Sequence, residues 1–85
     1  MNLQVQFKPE AVSNLKQLDK PIAQRILNKI NWLAANFDKT IPERLSSELK
    51  QFYKLRIGDW RVLYTHHHGI LMIHMIGHRR EIYKN

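Results

Sequence analysis

The stretch from Tyr53 to Tyr64 constrains the fold of this chain most. Its side chains alternate with a period of two on both sides of a Gly-Asp pair, which is the pattern of a β-hairpin with a two-residue loop. One face of this hairpin is then apolar, and the other carries three cations. The predicted register pairs Ile57 with Trp60, Arg56 with Arg61, Leu55 with Val62, and Lys54 with Leu63.

The three cations on the polar face of the hairpin are Lys54, Arg56 and Arg61. Like charges that lie directly opposite each other destabilise a ladder, by an amount comparable to the ~0.2–1 kcal/mol that a favourable pair contributes. Such local conflicts are expected at functional sites. A ligand with several negative charges would relieve the repulsion, and a phosphodiester backbone is the obvious candidate.

The length and composition predict one small domain over residues 1–85. The chain has no cysteine, so a disulfide framework is excluded and a reducing compartment, the cytoplasm, is favoured. No stretch approaches the ~18 apolar residues of a membrane span, and the first residues lack the features of a signal peptide. We therefore expect a soluble cytoplasmic protein without a membrane partner.

The net charge of +7 is unevenly distributed. Residues 44–85 hold eight basic and three acidic residues, which gives +5, whereas residues 1–43 hold six and four, which gives +2. The hairpin lies in the more basic half. A positive surface of this kind attracts polyanions through counterion release, but the charge alone does not distinguish RNA, DNA, an acidic protein or an anionic membrane.

Before the hairpin, the periodicity predicts one strand and two helices. Leu3, Val5 and Phe7 alternate with polar residues, as in a half-buried strand. Pro9 favours a helix start, and this helix ends near residue 19. A second helix starts at Pro21, and its apolar stripe has spacings of four, four, three and four: Ile22, Ile26, Ile30, Leu33 and Phe37.

Four cations on these two helices lie largely off the apolar stripe. They form either an ordinary solvated face or a supplementary surface that contacts RNA phosphates. The four residues are Lys16, Lys20, Arg25 and Lys29.

After the helices, residues 38–50 lack clean periodicity and predict a loop. Three strands follow, at residues 52–57, 60–66 and 70–76. The last strand is apolar on both faces, so we expect it inside the sheet. Strict alternation places Ile70, Met72 and Ile76 on one face and Leu71, Ile73 and Met75 on the other.

These elements predict a small α+β domain of order β-α-α-β-β-β. The helical hairpin packs on one face of a largely antiparallel four-stranded sheet, because neither layer can bury its apolar side alone. Tyr53, Leu55, Val62 and Tyr64 are expected to meet the helices. The opposite face, with its three cations, is expected to stay open.

The element order, the run at residues 53–64 and a terminal run at residues 77–83 together resemble the RelE branch of the RelE/ParE toxin superfamily. This resemblance implies the toxin of a type II toxin–antitoxin system. The implied activity is an endonuclease that cuts mRNA in the ribosomal A site and inhibits translation. The implied partners are the ribosome, its rRNA phosphates, and a small acidic antitoxin like RelB.

The resemblance also implies site residues. Two basic residues on the first hairpin strand, a following arginine, an arginine after Gly-His and a tyrosine near the end match the family pattern. Arg80 is an alternative to Arg79 as the arginine after Gly-His. Arg56 stands at the second basic position of the first hairpin strand, where the best-known member has lysine. The matching residues are Lys54, Arg56, Arg61, Arg79 and Tyr83.

RNA can be cut without a metal or cofactor, because its 2′-hydroxyl attacks the adjacent phosphorus. Lys54 is the preferred base, since Arg56 and Arg61 are expected to lower its pKa. Arg61 and Arg79 suit the stabilisation of charge on the phosphate oxygens, and Arg56 suits orientation of the phosphate. Tyr83 could stack on a neighbouring base.

The group that protonates the leaving 5′-oxygen is left open between two residues. The resemblance favours Arg79, whereas His78 is of the residue type whose unperturbed pKa lies near neutrality. The run His66, His67 and His68 lacks accompanying cysteine or carboxylate, so a turn is favoured over a metal site. His74 is expected to lie across from Arg61 as a half-buried histidine.

Two other functions compete with RNA cleavage. One is a ParE-like toxin that inhibits DNA gyrase, which shares the fold but does not need the five matching residues. The other is a basic module that binds RNA or a protein partner without catalysis.

Overall fold

The computed structural model describes residues 2–44 and 52–82, with only the backbone of Arg44. Within them the chain forms five strands and three α-helices, with a 3-10 turn at Phe37–Lys39 after the second helix. In chain order these are β1 (Gln4–Phe7), α1 (Pro9–Lys16), α2 (Lys20–Ala35), β2 (Glu43–Arg44), β3 (Tyr53–Ile57), β4 (Trp60–His67), β5 (Ile70–His78) and α3 (Arg79–Ile82).

The strands form one mixed sheet in the order β1-β5-β4-β3-β2. Only the β1–β5 pair is parallel, and the other three pairs are antiparallel. The predicted α+β class, element order and largely antiparallel sheet are therefore confirmed, as is the interior position of β5. The two-residue strand β2 and the four-residue helix α3 are additions that the sequence pattern did not predict.

The β3–β4 hairpin has the predicted register, from Ile57 opposite Trp60 to Lys54 opposite Leu63. Gly58, the first loop residue, has a φ of +58°, which a residue without Cβ adopts at little cost. A glycine at this position is typical of type II′ hairpin turns.

The helices cover one sheet face, as predicted. In α2 the central residues of the predicted stripe, Ile26, Ile30 and Leu33, are fully buried, and both ends of the stripe pack against them. Full burial of such a side chain contributes ~1.5–3 kcal/mol relative to exposure. The sheet residues in this core include Val62, Tyr64, Leu71, Ile73 and Ile76.

A β-bulge in β5 overturns the predicted faces of that strand. Leu63 is opposite Met75, but the next residue, Tyr64, is opposite Ile73, so His74 is an extra residue. The bulge moves Ile76 to the helix-covered face and Met75 to the other face, contrary to strict alternation. It also makes the predicted position of His74 wrong, because Gly77 lies across from Arg61.

The second sheet face is partly covered, contrary to the expectation of an open face. Ile82 of α3 is buried against Leu63, and Phe52 and Met75 pack around this small cluster. No helix in the described part of the chain is both long and apolar enough to cross a membrane.

Candidate functional site

Lys54, Arg56 and Arg61 lie on the second sheet face, which α1 and α2 do not cover. Their strand neighbours Leu55 and Val62 point into the main core, so strand alternation places the three cations on the opposite side. The register brings Arg56 directly opposite Arg61. We call these three residues the cation cluster. Its members differ strongly in exposure.

Arg61 is a buried cation, with only 6% of its surface exposed. Its Nη1 donates hydrogen bonds to the carbonyl oxygens of Gly58 and Trp60, each at 2.8 Å. Its Nε is also buried and has no acceptor among the described residues. Among residues 2–44 and 52–82, no carboxylate forms an ion pair with Arg61. A buried charge without a counter-charge is costly to the folded state.

Gly77 lets α3 approach the sheet next to Arg61. Gly77 is opposite Arg61, and a Cβ at Gly77 would lie 3.3 Å from the Cδ1 atom of Ile82. The missing side chain thus lets α3 pack closely over the sheet beside Arg61. The sequence signal was present as a glycine followed by an isolated apolar residue, but four helical residues are too few to show a period.

Lys54 is paired with a carboxylate. Its Nζ lies 3.1 Å from Oε2 of Glu43, which β2 holds directly opposite Lys54 on β3. The Lys54 side chain is 19% exposed and that of Glu43 is 57% exposed. The carboxylate favours the ammonium form of Lys54, which opposes the expected effect of Arg56 and Arg61. Nothing in the sequence pattern predicted this pair.

Besides Arg61 of β4, arginines from α2 and α3 lie close to the hairpin turn. The Arg79 backbone N–H donates to the Asp59 carbonyl at 2.8 Å, and Arg79 Nε lies 3.7 Å from Asp59 Oδ1. Both side chains are more than half exposed, so this ion pair contributes little to stability. Arg25 of α2 reaches the same turn, because its Nη2 would lie 3.3 Å from a Cβ at Gly58. Arg25 and Arg79 thus flank the turn to which Arg61 is bonded.

His78 lies on the other side of the sheet from the cation cluster. It is opposite Trp60, whose ring packs against the main core, and the two rings meet edge to face with centroids 5.5 Å apart. The His78 Nδ1 accepts a hydrogen bond from the backbone N–H of Arg80 at 3.2 Å. Arg80 itself is exposed on α3, and Tyr83 lies outside the described residues.

The four helix cations lie on elements that pack against the opposite sheet face. Lys16, Lys20 and Arg25 are exposed, and the Lys29 Nζ lies 4.0 Å above the ring of Trp32. Arg25 reaches the hairpin turn, as its position beside Gly58 shows.

His66 and His74 pack against different neighbours. His66 packs against Phe37 and Tyr53, with ring centroids 4.6 Å and 5.1 Å away. His74 Nε2 lies 2.8 Å from Thr65 Oγ1. Within the described ranges, no group of three His, Asp or Glu side chains is arranged to hold a metal ion.

Packing perturbs two ionisable groups near the sheet. Burial, together with the neighbouring Tyr53 and Glu43, raises the pKa of Tyr64 to about 12. Burial lowers the pKa of His74, and the nearby Lys8 adds to that shift. His74 is therefore held in its neutral form near pH 7.

The sequence matches the family described as the ParE toxin of type II toxin–antitoxin systems, parDE, over residues 5–83. A comparison with curated proteins finds no match.

Several solved structures have a similar fold. The toxin–antitoxin complex RelBE2 from Mycobacterium tuberculosis gives a TM-score of 0.81 at 23% identity, with 93% of this chain and 100% of that chain covered. The DinJ–YafQ toxin–antitoxin complex from E. coli gives 0.76 at 12% identity, covering 99% and 100%. The YoeB dimer from Staphylococcus aureus gives 0.69 at 26% identity, covering 88% and 94%.

Proposed function

Because this chain belongs to the ParE toxin family of type II toxin–antitoxin systems, we propose that it is a toxin that cuts mRNA on the ribosome. The cation cluster is the catalytic site, and the reaction needs no metal or cofactor. The partners are the ribosome with mRNA in its A site, rRNA phosphates, and a small acidic antitoxin like RelB. The toxin acts in the cytoplasm.

The observation that carries this proposal is the state of Arg61. Among the described residues, its buried Nε lacks an acceptor and no carboxylate balances its charge, and Arg56 is directly opposite. An RNA phosphate hydrogen-bonded to the exposed Arg56 would bring the missing negative charge next to Arg61. Charge-assisted hydrogen bonds of this kind are about twice as strong as neutral ones.

The cluster can divide the chemistry among its members. The RNA 2′-hydroxyl attacks the adjacent phosphorus and leaves a 2′,3′-cyclic phosphate and a 5′-hydroxyl fragment. When the approaching substrate opens its pair with Glu43, Lys54 releases its ammonium proton to solvent, and the neutral amine then takes the 2′-hydroxyl proton. Arg61 and Arg79 stabilise the charge on the non-bridging oxygens, and Arg56 orients the phosphate.

Arg79 is the better placed candidate for donation to the leaving 5′-oxygen. It is exposed at the hairpin turn where Arg61 also bonds, whereas His78 is on the opposite sheet face. Tyr83 is retained as the residue that stacks on a base next to the cut. Arg80 follows Arg79 on α3 and is the alternative to it.

Inhibition of DNA gyrase is the second candidate function. It is favoured by the family match, since that family is described by the parDE system. A toxin that binds gyrase does not require a buried, uncompensated arginine beside a lysine, and for that reason we rank this function second.

Induced expression followed by mapping of transcript 5′ ends tests the proposal. The wild-type chain is expected to produce cuts at codons of translated mRNAs. Arg61→Met and Lys54→Met should each reduce cutting by roughly 10²-fold, the effect of losing one donor to a developing charge. Lys39→Met is the matched control, because it removes an exposed cation from the 3-10 turn, outside the cation cluster.

Thermal unfolding of the purified variants establishes that they fold. Cutting at the wild-type level by both cluster variants would refute the catalytic assignment. DNA breaks that depend on gyrase, with no change in transcript ends, would establish the second candidate in its place.

A further inference from the structure

The second sheet face carries a groove that the proposed chemistry does not use. Its volume is about 420 Å³, which lies within the ~300–1,000 Å³ of small-ligand pockets. Ile70 and Met72 of β5 supply its apolar surface. Thr65 and His74, joined at 2.8 Å, supply its polar surface.

Three further residues line the groove, and all of them are exposed basic or aromatic side chains. Lys8 follows β1, and His67 and His68 lie at the turn between β4 and β5. The two imidazole rings are close and tilted relative to each other, with centroids 3.9 Å apart and planes inclined by 32°. The rim therefore offers a cation and a pair of flat rings.

The groove lies on the same sheet face as the cation cluster. Along β4, Arg61, Leu63, Thr65 and His67 are at alternate positions, and Thr65 is opposite Met72 on β5. His67 is six positions after Arg61 along the strand, which corresponds to roughly 20 Å. The apolar cluster of Leu63 and Ile82 lies between them, so a single strand of RNA that reaches both ends would pass over this cluster to enter the groove.

His68 occupies the first position of the turn at the groove rim. His68 has a φ of 51° and Gly69 has a φ of 79°, so both loop residues are left-handed, as in a type I′ turn. Asparagine or glycine is the usual residue at the first position of that turn, and histidine is also enriched in this backbone region.

We propose that this groove is a second subsite for single-stranded RNA, which holds a base several nucleotides from the cut. The base stacks on His67 and His68, against the apolar side chains of Ile70 and Met72, while Lys8 attracts the adjacent phosphate. The Thr65–His74 pair lines the groove and holds the imidazole in one orientation. This inference rests on the proposed function, since it extends the path of the same substrate.

Fluorescence anisotropy with 2′-O-methyl RNA tests the subsite, because the blocked nucleophile allows binding without cleavage. A dinucleotide reaches only the cation cluster, whereas a longer single strand also reaches the groove. His68→Asn and Lys8→Ala should weaken the longer strand roughly 5- to 100-fold and leave dinucleotide affinity unchanged. His68→Asn should unfold at the same temperature as the wild type or higher, since asparagine suits the turn.

Two further variants separate the possible failures. Lys39→Ala matches the charge loss of Lys8→Ala outside the groove and should leave both affinities unchanged. Arg56→Ala should weaken both RNAs. If Arg56→Ala weakens both RNAs while His68→Asn and Lys8→Ala bind the longer strand normally, the subsite is refuted and the proposed function stands. A groove that binds a peptide instead of RNA gives this same result. If Arg56→Ala has no effect but the groove variants do, the subsite stands and the cation cluster is refuted.

Discussion

The two faces of the sheet differ in how their side chains are packed and paired. The face covered by α1 and α2 is closed by apolar packing, and Leu71 and Ile73 there are fully buried. Within the part of the chain that the structure describes, the second face holds a buried arginine that has no counter-charge, a lysine paired to Glu43, and a small apolar cluster. The first face therefore accounts for most of the stability.

The contrast indicates that the fold is less stable than it could be at the cation cluster, which is the candidate functional site. A buried apolar residue in place of Arg61 would avoid the cost of an unpartnered N–H and the repulsion from Arg56. The proposed cleavage of RNA at the cation cluster gives a reason to retain the charge. Four predictions measure this difference between the faces.

The largest difference in the free energy of unfolding should come from truncating two nearby residues of β5 that lie on opposite faces of the sheet. Ile73→Ala opens a cavity in the main core and should cost ~2–5 kcal/mol in the free energy of unfolding. Met75→Ala, on the half-buried second face, should cost about 1 kcal/mol. Urea unfolding of both variants measures the two values. Equal losses would show that the second face is as tightly packed as the first.

A charged side chain should be unfavourable on the helix-covered face, and the ionisation of the buried Tyr64 tests this. Its pKa is raised from 10.0 to about 12, so unfolded chains ionise first as the pH rises. Its contribution is complete below pH 10 and is lost as the pH rises through about 12, a change of about 2–3 kcal/mol. Tyr64→Phe should lack this component in unfolding measured between pH 9 and about pH 12. An identical pH dependence in both proteins would refute the assignment.

On the second face, removal of the buried charge should preserve or increase stability. Arg61→Met keeps the volume approximately and removes the unsatisfied Nε, so the free energy of unfolding should be unchanged or raised by ~1 kcal/mol. Arg61→Ala, which leaves a cavity, should be less stable than Arg61→Met. A loss above ~2 kcal/mol in the methionine variant would mean that the bonds to Gly58 and Trp60 are structural.

The smallest stability effect should follow Glu43→Gln. Glu43 is mostly exposed, so loss of its pair with Lys54 should cost less than ~1 kcal/mol. If Lys54 is the base, the same change should favour its neutral form and shift the rising limb of the cleavage rate to lower pH. Asp59→Asn, which removes the exposed carboxylate near Arg79, is the control and should leave that limb in place.

Local periodicity made much of the first face predictable. The register of the β3–β4 hairpin and the apolar stripe of α2 were both predicted correctly, because each depends on residues close together in the chain. The bulge at His74 was not predictable, since one extra residue leaves no mark on the apolar composition of β5. It exchanged the faces of Met75 and Ile76.

The environment of the candidate site was much less predictable than its residue content. The position of Lys54, Arg56 and Arg61 on one face followed from the sequence, but their exposure did not. Glu43 is paired with Lys54 through a two-residue strand, which is too short to give a periodic signal.

Alternation and helical spacing are local properties, so residue order was sufficient to predict the α+β class, the hairpin register and the shared face of the three cations. The folded chain was needed to show that Arg61 is buried, that Lys54 has a carboxylate partner and that His78 lies on the opposite side of the sheet. These features depend on contacts between elements, and strand periodicity does not specify which distant element covers a given residue.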